Sequence, residues 1–217
     1  GVAVEAELEV PVSGLKAQGA YATFDFGALP HGYGWIFPKK DHLSVGVFQA
    51  QAGKAIGLRQ QLDKFIACQP VLQGGYIQHF QGHPIPLGAG RQPFHRGRAL
   101  LVGDAANLAD PWLGEGIYYA VLSARLAAPV MAAALEQDAS DLGEYSRQIH
   151  AQIASQQRYA AVFARMVYRF PQLCSELVSH SPIMQRVIFS AVRGDLTFRQ
   201  MSTRLVGKLP LILLEAF

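Results

Sequence analysis

Gly103-Asp104 and, ten residues on, Gly114-Glu115-Gly116 are the residues whose types and spacing could do chemistry. Asp104 follows a short apolar run, Ala99, Leu100, Leu101 and Val102, which reads as a strand. A carboxylate at a strand end can accept hydrogen bonds from ligand hydroxyls, and a glycine before it lets the ligand approach the backbone. A small-residue loop containing Asp110-Pro111 comes next, and Gly114-Glu115-Gly116 then opens a segment with helical apolar spacing. A helix N-terminus carries roughly half a positive charge. Such an end, left bare by glycines, can stabilise negative charge that develops on a ligand. A lone Gly-Asp is most simply an aspartate capping a turn. The pairing with a glycine-flanked helix start makes a ligand site the sharper reading.

The remaining candidates are weaker. Tyr33, Trp35 and Phe37 alternate along a predicted strand and share one face, where an ordinary aromatic core is the plainest interpretation. His79 and His83 lie four apart with no third ligand in the pattern, so no metal site is expected. No serine or cysteine sits in a nucleophile elbow, and Cys68 near a helix end reads as a small buried residue. After residue 140, nine Lys or Arg face five acids. Such charges usually solvate helix faces, and they could equally attract a diphosphate headgroup or an anionic membrane surface.

The elements that must position these residues fall into two styles. Val2 to Val10 alternates strictly, with Glu5, Glu7 and Glu9 on the outer face, and Pro11 and Gly14 should break the run. Tyr21–Phe26, Tyr33–Phe37, Leu43–Gln49 and Tyr76–Gln81 read as further strands, the middle pair as a hairpin. A helix is expected from Lys54 to near Pro70. From Gly116 the pattern is helical to the end of the chain. A helix to about Leu135 precedes a capping-box pattern at Asp141 and Glu144. A long apolar stripe (Tyr145, Ile149, Ile153, Val162, Phe163, Met166, Val167, Phe170) follows. Ser181-Pro182 is a further helix start. A last short helix follows Gly194-Asp195, with Pro210 closing the regular structure. The fold class is therefore α+β. Its expected parts are a mainly antiparallel sheet over residues 1–97, a strand-turn-helix over 98–136 and a helical region over 137–217.

Composition bounds the rest. Half of the 217 residues are hydrophobic and 16% are charged, which demands a substantial core and excludes disorder. Mean hydropathy of +0.14 is high, pointing to a large cavity, a covered partner surface or membrane proximity. No apolar run approaches the roughly 20 residues of a spanning helix. Nor does the N-terminus read as a signal peptide. Two cysteines give no disulfide framework and fit a reducing, cytoplasmic setting. A formal charge of +3 argues against nucleic acid as a partner.

The stretch GDAANLADPWLGEGIYYAVLSAR resembles the second flavin-binding motif of FAD-dependent reductases and hydroxylases, and more narrowly that of the geranylgeranyl reductase family. PHGYGWIFP at residues 30–38, the KKDHLSVGV that follows, and GDLTFR at 194–199 resemble further patterns of the same family. The resemblance implies that Gly103 and Asp104 hold the ribityl or phosphate part of FAD. Pro111, Gly114, Glu115, Gly116 and Ile117 would lie against the ring, and the helix start would face N1 and O2. It implies that Tyr33, Trp35 and Phe37 line an isoprenoid cavity, with NADPH or another external donor reducing the flavin. No proton donor is assigned; Tyr33 is one option. The family's opening GxGxxG section has no match, since Gly32-Tyr33-Gly34 sits in a hairpin and Gly88-Ala89-Gly90 precedes no helical pattern. The chain thus reads as a C-terminal portion, whose uncovered strand edge would invite self-association or union with an N-terminal part. A monooxygenase or halogenase of the same superfamily is the alternative enzyme. A flavin-free module binding lipid or a partner chain is the alternative from another class, and peripheral membrane contact fits either.

Overall fold

Strict alternation at the N-terminus does what its period requires. Val2–Glu9 forms β1, whose Ala6 and Leu8 are buried while Glu5, Glu7 and Glu9 turn to the other face. The computed structural model describes residues 1–50, 57–88 and 93–216. The chain divides into two compact units, Gly1–Ile85 and Pro86–Phe217.

In the first unit, β1, β2 (Thr23–Asp25), β3 (Gly32–Pro38), β4 (Leu43–Gln49) and β5 (Tyr76–Pro84) form one antiparallel sheet in the order β2-β3-β4-β1-β5. The β3–β4 hairpin pairs Gly32 with Gln49 and Pro38 with Leu43, which fixes Ile36, Val45 and Val47 on the same face as Ala6 and Leu8. Two helices, α1 (Val12–Gln18) and α2 (Leu58–Cys68), are linked to this sheet. Leu58, Leu62 and Phe65 of α2 share one core with those strand residues. The expected start of α2 at Lys54 lies outside the described residues.

The alternating run breaks before Pro11 as expected, and α1 begins directly after the proline, taking Gly14 inside it. Proline's fixed φ suits the position before a first helical turn. Gly14 is needed inside α1 because a Cβ there would lie 2.4 Å from the Val71 carbonyl oxygen. The expected strand at Tyr21–Phe26 shortens to three residues, because the Gln18 amide captures the Tyr21 carbonyl at 2.6 Å and Asp25 turns the chain through the Gly27 amide. Cys68 is exposed rather than buried, since it ends α2 away from the sheet-facing stripe.

The second unit opens with a two-residue ladder, β6 (His95–Arg96) against β7 (Ala99–Leu100). The strand expected over Ala99–Val102 is thus half as long, and Leu101 and Val102 are exposed. The helices that follow are α3 (Ile117–Glu136), α4 (Gly143–Ile149), α5 (Ser155–Arg169), α6 (Pro171–His180), α7 (Pro182–Val192) and α8 (Phe198–Ala216). A wide π turn over His150–Ala154 joins α4 to α5. Phe94, Leu108 and Tyr119 share a core with Tyr145, Ile149 and Ile153, and α8 packs along α5, α6 and α7. By length and composition alone α3 could cross a membrane, being 20 residues long and mostly unburied. No apolar segment of that length was expected; α3 reaches it because Arg125 is the only charge before Glu136.

Three local expectations are corrected here. Asp141 accepts the Gly143 amide at 2.9 Å, but Glu144 pairs with Arg147 and Gln148 instead of reaching back, so there is no reciprocal capping box. Within the expected apolar stripe, Val162, Met166 and Phe170 turn to solvent instead of joining the core. Pro210 lies inside α8, because Ile212 beyond it is buried and Glu215 accepts from the Ser181 hydroxyl and the Ile183 amide. Those anchors hold the helix past the proline. By contrast, Ser181 caps α7 as expected, accepting the Met184 amide at 3.2 Å.

Leu62 is fully buried between α2 and the sheet. Leu62→Ala should destabilise the first unit by about 2–5 kcal/mol, measured as a lower urea midpoint with an unchanged slope.

Candidate functional site: an acidic loop at a helix start and an aromatic sheet face

The acidic loop is built around two aspartates with different tasks. Asp104 lies in a tight turn, Gly103–Ala106, between β7 and the loop, and its side chain is exposed. Gly103 adopts φ +52, where its amide donates to the buried Ser123 hydroxyl of α3 at 3.0 Å. A side chain at 103 would meet Ala120, so glycine is what lets the turn lie on the helix. Gly116, immediately before α3, lies beside Asp104: a Cβ there would be 3.1 Å from Asp104 Oδ1. An exposed carboxylate therefore stands at the entrance of a helix whose approach is kept open by a missing side chain.

Asp110 is the residue that sequence reasoning undervalued. It is 3% exposed and bonded at every polar group. Its amide donates to the Glu115 carbonyl at 2.8 Å, and its carbonyl accepts the Gly114 amide at 2.9 Å. Its carboxylate accepts the Trp112 amide at 3.2 Å and the Leu113 amide at 2.7 Å. An aspartate that captures amides two and three residues on is an Asx turn, and Asp110-Pro111 is the signal that could have shown it. Burial pushes the Asp110 carboxyl up to about 6, outweighing those two amides, with the Glu115 charge adding to the rise. Tyr119, behind the loop, is also raised, by burial first and then by the charges of Asp110 and Glu115.

Of the expected ring-contacting residues, Pro111 is buried, Gly114 has φ +71, and Ile117 is 83% exposed at the first turn of α3. Glu115 is exposed, and its carboxylate accepts the Tyr118 amide at 2.6 Å. One donor of the helix start is therefore already satisfied by the chain itself, which sequence spacing did not reveal.

The aromatic residues form a second site, within the first unit. Tyr33, Trp35 and Phe37 occupy the sheet face opposite the α2 core, paired across β4 with Phe48, Gly46 and Ser44. A side chain at 46 would lie 2.1 Å from the Trp35 ring, so glycine makes room for the indole. Tyr33 and Trp35 are 6% and 8% exposed. Phe24, Phe26 and Phe48 join them, with ring centroids 5.3–5.6 Å from Tyr33. Phe24, at 38% exposure, and half-buried Phe37 are the rings open to a ligand. Phe24 shares a face with Phe26 in the alternating run expected over Tyr21–Phe26, whereas Phe48 was not singled out from sequence, though it shares the parity of Ser44 and Gly46. Ser44 accepts the Trp35 indole N–H at 3.4 Å and donates to Glu5 at 2.6 Å, so a carboxylate edges the aromatic cluster.

The chain has relatives among known proteins. Geranylgeranyl diphosphate reductase of Synechocystis is 32% identical over 169 residues, covering 68% of this chain and 39% of that protein. An uncharacterised protein of Methanosarcina barkeri is 29% identical over 200 residues, 92% of this chain and 50% of its own length. The chain is a relative of the geranylgeranyl reductases. It spans about half or less of the length of these curated relatives. The fold agrees: a geranylgeranyl bacteriochlorophyll reductase-like protein of Thermoplasma acidophilum superposes with a TM-score of 0.74 at 22% identity, over 99% of this chain and 53% of that one. No family model matches the chain.

In this geranylgeranyl reductase relative, His79 and His83 are exposed on β5, and no metal-binding cluster exists among the described residues. The raised Asp110 carboxyl makes a pH prediction. A protonated, buried acid contributes stability that is fully present below about pH 4 and lost as pH rises through about 6. Asp110→Asn should remove that fall, roughly 3 kcal/mol at most, so that thermal denaturation of the variant changes little across this window while the parent loses stability.

Proposed function

We propose that this chain carries the substrate-facing and ring-facing portion of an FAD-dependent oxidoreductase that reduces isoprenoid double bonds. The observation that carries the proposal is the exposed Asp104 carboxylate beside Gly116 at the start of α3, in a chain similar to a geranylgeranyl diphosphate reductase. In this reading residues 1–97 serve the substrate, 98–136 the cofactor, and 137–217 form the helical region.

The residues present fit the cofactor. Asp104 is free to accept hydroxyl hydrogen bonds, and Gly116 bares the backbone beside it while Gly103 seats the turn on α3. Ile117 leaves the first turn of α3 uncovered. FAD, when bound and reduced, supplies the hydride that such a reduction needs. The chain's own part is to bind and orient. Asp104 fixes the ribityl chain, and the α3 N-terminus faces the ring edge where reduction places negative charge. For that, the Glu115 carboxylate must leave the Tyr118 amide, since two anions cannot share one donor. Phe24 and Phe37 offer apolar ring faces to a polyprenyl chain at little cost in side-chain entropy, and the buried Tyr33 and Trp35 support them from behind.

Titrating the purified chain with FAD and following flavin fluorescence tests the cofactor reading. Asp104→Ala should weaken binding at least about tenfold, as expected for a lost charge-assisted hydrogen bond, and unchanged affinity contradicts the role. A chain that takes up no FAD supports a flavin-free module instead. This portion alone is expected to be inactive; joined to the family's GxGxxG section and with flavin bound, it should add two hydrogens per double bond on anaerobic reduction in the presence of geranylgeranyl diphosphate. An oxygenated or halogenated product after admission of air and halide would replace the reductase reading.

A further inference from the structure

We propose that the outward face of α5 is a docking surface for an anionic lipid bilayer. The proposal goes beyond the flavin reading and does not depend on it. Arg158, Val162, Arg165, Met166 and Arg169 follow one another at helical spacing on a single stripe, which Phe170 extends at the helix end. All are exposed, Val162 by 59% and Phe170 by 53%. Ala160, Phe163, Ala164 and Val167 occupy the opposite, buried stripe. No acid occurs anywhere in α5.

The surroundings strengthen the charge. Residues 155–216 hold eight Lys or Arg against three acids, although the whole chain carries a formal charge of only +3. All three acids are engaged locally. Glu176 pairs with His180, and Asp195 with Arg193. Glu215 accepts from the Ser181 hydroxyl and the Ile183 amide. Among the described residues no carboxylate lies within ion-pair distance of Arg158, Arg165, Arg169, Arg199, Arg204 or Lys208. Arg165 donates to the Ala161 carbonyl of its own helix, and the Arg169 guanidinium lies 5.8 Å from the Phe170 ring centre.

An alternation of arginines with large apolar side chains on one exposed stripe suits a headgroup layer. The guanidinium groups reach phosphates while Val162, Met166 and Phe170 enter the acyl boundary. A nucleic acid would use the arginines and leave those three apolar groups in water. A merely solvated helix face would hold neither the apolar residues nor so uniform a sign of charge.

The test is co-sedimentation of the purified chain with vesicles of phosphatidylcholine alone and of phosphatidylcholine with phosphatidylglycerol in equal parts, neither flavin nor isoprenoid being present. Binding to the anionic vesicles, weakened by salt, and little to the neutral ones is expected. Each arginine near an anionic surface is worth about fivefold in affinity. The triple variant Arg158→Gln, Arg165→Gln, Arg169→Gln should therefore lose on the order of a hundredfold. The double variant Val162→Ser, Met166→Ser should lose binding that persists in high salt. These positions are exposed, and circular dichroism checks that the variants fold. Equal binding to both vesicles, binding to neither, or an unaffected triple variant overturns the proposal. So does a dimer seen by light scattering that the double variant dissolves, which would assign the face to a second copy, or capture of a DNA duplex in preference to the anionic vesicles.

Discussion

The second unit depends on one buried aspartate. Asp110 holds four backbone partners at once, so the chain from Asp110 to Glu115 closes on itself. Without that closure the loop would pay several residues' worth of conformational entropy to set Gly116 beside Asp104. The arrangement places the strain of a buried acid behind the surface and leaves the exposed acid, Asp104, available. Asp110 does the structural work, and Asp104 is left for a ligand.

The first unit solves a different problem with the same economy of means. Its sheet buries aliphatic side chains against α2 on one face and aromatic ones among themselves on the other. Because β4 is covered on both faces, its alternation disappears from the burial pattern although not from the side-chain types. Leu43, Val45 and Val47 go one way, Ser44, Gly46 and Phe48 the other. The small residues at 44 and 46 exist to receive Trp35.

Much of this was legible in the sequence where one period or one cap dominates. β1, the β3–β4 hairpin, α3 and the Ser181 cap follow from alternation, from glycine-flanked apolar spacing and from the hydroxyl–proline signal. What escaped was decided by partners distant in sequence. Gly14 looks like a breaker until the Val71 carbonyl is placed against it, and Pro210 looks terminal until Ile212 and Glu215 find their anchors. The site divides likewise. Glycines and the Asp104 position were readable, whereas the Glu115–Tyr118 bond and the fourfold role of Asp110 required the folded loop.

The wide turn at His150–Ala154 has a consequence of phase. An i to i+5 closure accommodates one residue more than the helical repeat and turns everything after it by about 100° relative to what precedes it. Tyr145 and Ile149 line the core before the turn and Ile153 within it, and after it the buried line runs through Gln157, Ala160, Ala164 and Val167. Loss of the extra residue would turn α5 by about 100°, moving its arginines from the outward face to a flank. The turn is thus a rotational setting between two rigid rods, and a one-residue deletion there would change which side of the molecule is basic while altering the composition hardly at all.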